Sequence, residues 1–309
     1  MTFSRDAVAT LPLVLGGNVF GWTADRDTSF AVLDAFVAAG GIHIDTADAY
    51  ARWMPGSTGG DSETVIGEWL SARGNRDDVF IATKVGALAP RNNLRAESIA
   101  AAVEDSLRRL QTDRIDLYWA HRDDPETPQE ETLAAFDALV QAGKVRYLGA
   151  SNFSADRLES ALAVSQANGL ARYDAVQPLY NLLEHAEYEA GTGRVVAAHG
   201  LVTLPYYGLA AGFLTGKYRA GQPVESARAE GAKKYFDDRG FGVIDALDEV
   251  ASAHGVSVSA VALAWLNQQD TVLAPIASAR TPEQFSDLTG LRDLVLDADE
   301  LARLRKAAS

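Results

Sequence analysis

A short apolar run, a polar turn and an amphipathic helix recur along almost the whole chain, and this alternation restricts the fold more than any other feature. Apolar runs at 13–16, 42–45, 79–84, 115–121, 145–151, 175–177, 201–206 and 272–278 read as eight strands. Helical periodicity falls between them. The segment 28–39 carries Phe30, Leu33, Phe36 and Val37 on one face, opened by Asp27 and closed by Gly40 and Gly41. Residues 62–73 follow, with Ser62 as N-cap and Gly74 past the end. Further helices are expected at 98–110, 132–141, 155–167 (capped by Ser154), 188–199, 243–254, 257–268 and 282–290.

Eight strands alternating with helices in 309 residues predict an α/β fold, a (β/α)8 TIM barrel forming one domain over 1–309. An open doubly wound sheet alternates too, but its G-x-G-x-x-G turn is absent, and Gly216-Lys217 is followed by Tyr218 rather than by a Walker Ser or Thr. One stretch breaks the rhythm. Residues 215–242, with Gly221, Pro223 and a charged run at 233–239, predict a long loop after the seventh strand that covers a ligand.

Composition narrows the function classes. The chain has no cysteine, which excludes disulfides, thiolate nucleophiles and Cys-ligated metals. A net charge of -14 argues against nucleic-acid or anionic-membrane partners. The start MTFSRDAVAT lacks an apolar signal core and no apolar run reaches a membrane span, so a soluble cytoplasmic protein is expected. Oligomeric state is not legible.

In a barrel the site is built at the C-terminal ends of the strands. There stand Asp45 in GIHIDTADAY, Lys84 in VFIATK, His121 in IDLYWAH, Ser151-Asn152 in YLGASN and Gln177 in DAVQ, with Tyr50 just beyond Asp45. Alone, each has an ordinary structural reading: a turn cap, a solvated lysine, a core histidine. Together they make a proton-donating site. A phenol titrates near pH ~10, and a neighbouring ammonium stabilises its phenolate. Lys84 supplies that ammonium, Asp45 keeps it charged and fixed, and neutral His121 hydrogen-bonds a carbonyl oxygen. None of these groups carries a hydride, so the chemistry calls for a nicotinamide cofactor.

Over nearly its whole length the chain resembles the aldo-keto reductase superfamily. The resemblance rests on IDTADAY, ATK, YWAHRDD, GKVRYLGASNFS, VQPLYNLLE and YGLAAGFLTGKY, in the family's order. It implies NADPH-dependent reduction of a small carbonyl compound, with Asp45, Tyr50, Lys84 and His121 as the catalytic tetrad. Ser151, Asn152 and Gln177 match the residues that bind the nicotinamide carboxamide, and Tyr206 the aromatic that stacks on its ring. Gly16, Gly17 and Asn18 match a backbone contact, and Leu209, Gly212 and Lys217 lie where the pyrophosphate is held. At the adenosine end, Arg280 matches an arginine that stacks on adenine or pairs with the 2′-phosphate, beside Ser278 and Gln284; Leu288 replaces a common asparagine.

At the substrate end Arg122 follows the histidine, where well-studied relatives have tryptophan. Either it meets a polar or anionic substrate, or it pairs with Asp123 or Asp124. Trp22, Trp53, Met54 and Phe153 are candidates for an apolar wall beside Tyr50, or for core. Two other classes remain. One is a weakly catalytic redox sensor resembling potassium-channel beta subunits; the other is a metal-dependent barrel hydrolase using His43 and Asp45, which would need further histidines at later strand ends.

Overall fold

The computed structural model describes Phe3, residues 11–219, Gly221 and residues 229–309. In chain order the elements are β1 (Val14–Gly16), α1 (Arg26–Ala38), β2 (His43–Asp45), α2 (Asp61–Arg73), β3 (Phe80–Val85), α3 (Ala96–Leu110), β4 (Ile115–Ala120), α4 (Gln129–Gln141), β5 (Val145–Ser151) and α5 (Ala155–Asn168). There follow β6 (Ala175–Gln177), α6 (Ala186–Ala190), α7 (Thr192–His199), β7 (Val202–Thr203), α8 (Ala229–Ala232), α9 (Asp238–His254), α10 (Val258–Asn267), β8 (Ile276–Ala277), α11 (Pro282–Thr289) and α12 (Ala298–Ala307).

The eight strands form one sheet in the order β7-β6-β5-β4-β3-β2-β1-β8, every pair parallel. Backbone hydrogen bonds also join the two outer strands' neighbourhoods: Thr203 N donates to Thr271 O (2.8 Å), Leu273 N to Thr203 O (2.9 Å) and Ile276 N to Pro205 O (2.9 Å). The sheet therefore curls round towards itself, consistent with the expected (β/α)8 architecture.

Alternate residues of each strand share a face. Phe80 and Ala82 of β3, Leu117 and Trp119 of β4 and Tyr147 of β5 make an inner cluster with Val14, Leu204 and Ile276. Phe3 packs into it, its ring 5.2 Å from Tyr147 and 5.5 Å from Phe80. Gly149 completes the layer, because a Cβ there would lie 2.1 Å from the Trp119 ring. The same alternation carries His43 to Asp45 and Ala82 to Lys84, so the polar pair tops an apolar stack. A larger cluster lies between sheet and helices. Among the described residues no single helix is long and apolar enough to cross a membrane.

Several local expectations need correction. Helix α1 opens at Asp25, whose side chain accepts from Thr28 N, rather than at Asp27. Ser62 lies inside α2 and is not its cap; its hydroxyl donates to Gly17 O at 2.7 Å and accepts from Thr46. The helix expected over 188–199 is two helices, broken at Gly191, whose backbone is not helical. β7 and β8 are far shorter than their apolar runs: Pro205 and Pro275 have no N–H to donate to the ladder, although their carbonyls still accept from Ile276 N (2.9 Å) and Val14 N (3.0 Å). The segment 215–242 is no featureless loop: it holds α8, a 3-10 turn at Lys233–Tyr235 and the first turns of α9, capped by Asp237. Part of it, including Pro223, lies outside the described residues. Sequence reading missed α12 altogether, although Asp297 and Glu300 form a capping box there.

Candidate active site

The parallel register fixes the height of each polar residue. Gly16 pairs with Asp45, Asp45 with Ala82, Lys84 with Trp119, Ala120 with Ala150, and Ser151 with Gln177. All emerge at one end of the sheet. His121 follows β4 directly, its amide bonded to Val85 O at 2.9 Å.

Lys84 organises the centre. Its ammonium is almost fully buried and donates to an Asp45 carboxylate oxygen, to Thr46 O (2.7 Å) and to the Tyr50 hydroxyl (3.0 Å). Burial opposes the charge, but Asp45 and Tyr50 together outweigh it and hold the lysine above its ordinary range. The second Asp45 oxygen accepts from Gln177 Nε2 at 3.1 Å, so a residue from β6 steadies one from β2. The His121 ring lies edge-on to Tyr50 with centroids 6.1 Å apart. Burial, then the charges of Lys84, Arg122 and Arg52, lower its pKa to about 3, so the ring is neutral through the physiological range.

A cavity of about 730 Å³ opens over this group. Asp45, Tyr50, His121, Ser151, Asn152, Gln177 and Tyr206 line one part, and Gly16 and Asn18 flank it. Leu209, Gly212 and Lys217 line the middle, and Ser278, Arg280 and Gln284 the other end. A chain of hydrogen bonds rigidifies the floor: Tyr206 OH donates to Asn152 Oδ1 (2.7 Å), and Asn152 Nδ2 donates to His121 O (2.9 Å) and Ser151 Oγ (3.0 Å). Ser278 Oγ donates to Asn18 Oδ1 at 2.6 Å, tying the segment after β8 to the one after its neighbour β1. Asn152 has φ 58°, a left-handed conformation that asparagine tolerates. Ala51, Tyr207, Ala210 and Ala211 share that region of backbone space beside the cavity, where strain is retained when surrounding contacts over-determine the backbone.

Some expected residues fall elsewhere. Lys84 lies beneath the cavity wall and reaches it only through Tyr50 and Asp45. Gly17 faces α2: its amide binds Asp45 O at 2.8 Å, and an added Cβ would meet Ser62 Oγ at 2.8 Å. Trp22 and Trp53 are outside the cavity lining but touch each other edge to face, with Trp53 packed 6.4 Å from Tyr50. Phe153 is buried against Tyr173, as core. Arg122 is outside the lining too, and it pairs with neither of its neighbouring aspartates. His43 packs on Phe80 at 4.5 Å, and among the described residues no group of three or more His, Cys, Asp or Glu is arranged to hold a metal.

Sequence reading also missed Thr23, Ser257, Ser259 and Asp287, which line the cavity. Ser257 was detectable as the cap of the apolar run in α10, accepting from Ala260 N at 3.0 Å and donating to Asp287 O. Asp48 was passed over as well. It is buried within the loop that carries Tyr50, its Oδ1 has no partner among the described residues, and burial together with Glu63 pushes its pKa up to about 7. Glu63 in turn accepts from Thr83 Oγ1 (2.5 Å) and Arg109 Nε (2.6 Å).

An ammonium bridging carboxylate and phenol, at the strand ends of a curled parallel sheet, defines a class of nicotinamide-dependent oxidoreductases. The aldo/keto reductase family model matches residues 12–309, and the chain belongs to that family. It is 33% identical over 296 residues to the aldo-keto reductase YhdN of Bacillus subtilis, covering 93% of this chain and 85% of that protein. It is 34% identical over 314 residues to the uncharacterized oxidoreductase YrpG of the same organism, covering 97% and 93%. To the protein tas of Escherichia coli it is 31% identical over 320 residues, covering 94% and 92%. The protein is thus an oxidoreductase of a family that acts on small carbonyl compounds with NAD(P)H, and the sensor alternative is not favoured.

Proposed function

We propose that the protein reduces an aldehyde or ketone to an alcohol with NADPH, Tyr50 donating the proton. The observation that carries this reading is the buried Lys84 ammonium held between Asp45 and the Tyr50 hydroxyl. Bound NADPH supplies the hydride. Tyr50 OH gives its proton to the carbonyl oxygen as negative charge develops there, and Lys84 stabilises the phenolate left behind. Asp45, fixed by Gln177, keeps the ammonium in place, since a lone buried charge costs several kcal/mol. Neutral His121 presents a ring N–H to the same oxygen and holds the carbonyl in line.

The cavity fits an extended dinucleotide. Ser151, Asn152 and Gln177 offer amide and hydroxyl partners for the carboxamide, and Tyr206 a ring for stacking. Gly212, at φ 88°, turns the backbone beside Lys217 where a pyrophosphate needs both close approach and a cation. Arg280, with Ser278 and Gln284, serves the adenosine end, and its position just before α11 favours the 2′-phosphate of NADPH. Trp22 and Trp53 form the outer wall on the substrate side. We infer further that the chain is one (β/α)8 domain, with the segment after β7 flanking the cofactor.

A panel of aromatic aldehydes, diketones and aliphatic aldehydes, followed by loss of NADPH absorbance with and without a chelator, tests this. Turnover of at least one class, unchanged by chelator, is expected. Tight NADPH binding with no turnover on any carbonyl would instead favour a cofactor-reporting role.

A further inference from the structure

Two arginines bracket the substrate side of the site, and neither has a carboxylate partner among the described residues. Arg52 lies two residues past Tyr50, and Arg122 directly follows His121. Each cation is thus tethered to one of the two groups that hold the carbonyl oxygen. Both guanidinium groups rest on the same short loop after β3: Arg122 Nε donates to Gly86 O (3.2 Å) and Arg52 Nη1 to Ala87 O (2.9 Å). Adjacent residues thus anchor the two exposed side chains, and both charges act on the same His121 ring.

The acids that would ordinarily neutralise Arg122 are already engaged. Asp123 receives a two-pronged bond from Arg157 (2.7 and 2.9 Å), and Asp124 accepts from Leu94 N (2.9 Å) and Thr127 Oγ1 (2.6 Å). In a chain with 42 acidic and 28 basic residues, acids are abundant, and still neither arginine pairs with one among the described residues. Beside them the Trp22–Trp53 edge contact and the half-exposed Trp53 ring give an apolar surface. An apolar wall ending in two cations suits a molecule with an apolar middle and an anionic end.

We propose that Arg52 and Arg122 together bind a carboxylate remote from the reacting carbonyl, so that the preferred substrates are oxo acids. This rests on the carbonyl-reduction reading above. The chemistry of the reacting centre is unchanged; the clamp acts on binding and orientation. Guanidinium is suited to the task because its planar fork matches two carboxylate oxygens.

The test compares 4-carboxybenzaldehyde with its methyl ester, 4-formylbenzoate methyl ester. The ester is the more electrophilic aldehyde, so any preference for the acid comes from recognition. Wild type should show kcat/KM about 10-fold higher for the acid, with the preference falling as salt rises. Arg52→Gln and Arg122→Gln should each raise KM for the acid about threefold, leaving its kcat and all ester kinetics within twofold. Arg122→Lys, which keeps the charge, should retain part of the preference. If the ester is reduced as well as the acid by wild type, or if the variants weaken both substrates equally, the clamp is overturned while carbonyl reduction stands. If neither aldehyde is reduced although NADPH binds, the clamp is overturned, and the carbonyl panel above decides whether the underlying reading falls with it.

Discussion

The Lys84 ammonium sits 3.0 Å from the Tyr50 hydroxyl and is simultaneously ion-paired with Asp45, both charged groups being buried. Removing one partner of such a pair strands the other. Lys84→Met should lower kcat by at least about 100-fold and also cost about 3–5 kcal/mol of stability, because the Asp45 carboxylate is left buried alone. Adding Asp45→Asn should return most of the stability without returning activity. Urea unfolding alongside steady-state rates separates the two effects; a double variant no more stable than Lys84→Met would deny the pairing its structural role.

Arg280 and Asp287 both line the cavity, at the end proposed to take the adenosine. A charge-assisted pair with the 2′-phosphate predicts that Arg280→Ala raises the Kd of NADPH by about 10-fold or more and leaves NADH nearly unchanged. Asp287→Asn should do the reverse, tightening NADPH by removing a like charge. Equal weakening of both cofactors by Arg280→Ala would reassign the arginine to adenine stacking.

Two buried histidines give the fold an acid limb. Burial lowers the pKa of His43 and of His121 to about 3, whereas the unfolded chain titrates near 6.5. The unfolded state therefore gains protons first as pH drops, and stability present above pH ~6.5 is lost progressively towards pH ~3. Each ring contributes about 2 kcal/mol of loss between pH 7 and 5. Neither His43 nitrogen has a partner among the described residues, so His43→Leu should lose about 2 kcal/mol less than wild type between pH 7 and 5 and leave kinetics unchanged. The slope is read from unfolding curves at the two pH values, and an unaltered slope would place the acid sensitivity elsewhere.

Asp48 has the opposite sign. Its folded pKa of about 7 exceeds the unfolded value, so its favourable contribution is complete below pH ~4 and gone above pH ~7. Asp48→Asn removes the charge cost. The variant should gain about 2–4 kcal/mol at pH 8, with the gain shrinking towards pH 4. A uniform change at all pH values would mean that the carboxyl does not titrate in this range.

Much of the site was legible because strand ends are local: Asp45, Lys84, His121, Ser151 and Gln177 each follow an apolar run that had to be a strand. Their convergence followed from one decision about topology. What depended on tertiary partners was not legible. Asp123 adjoins Arg122 in sequence yet binds Arg157, 34 positions away. Ser62 looks like a helix cap, but its hydroxyl bonds to Gly17 O, and that packing turns Gly17 from the cavity. Gly191 divides a segment whose periodicity reads as one helix, a break that depends on backbone geometry and not on apolar spacing. The α12 capping box was present in D-A-D-E and went unread.

The central claim is that Tyr50 donates the proton from a hydroxyl held by Lys84. Tyr50→Phe keeps the ring and deletes only the donor, so single-turnover carbonyl reduction in the NADPH-saturated variant tests it most directly. The account predicts a rate at least about 100-fold below wild type, with the Kd for NADPH changed less than about threefold. A near-wild-type rate in Tyr50→Phe would contradict it.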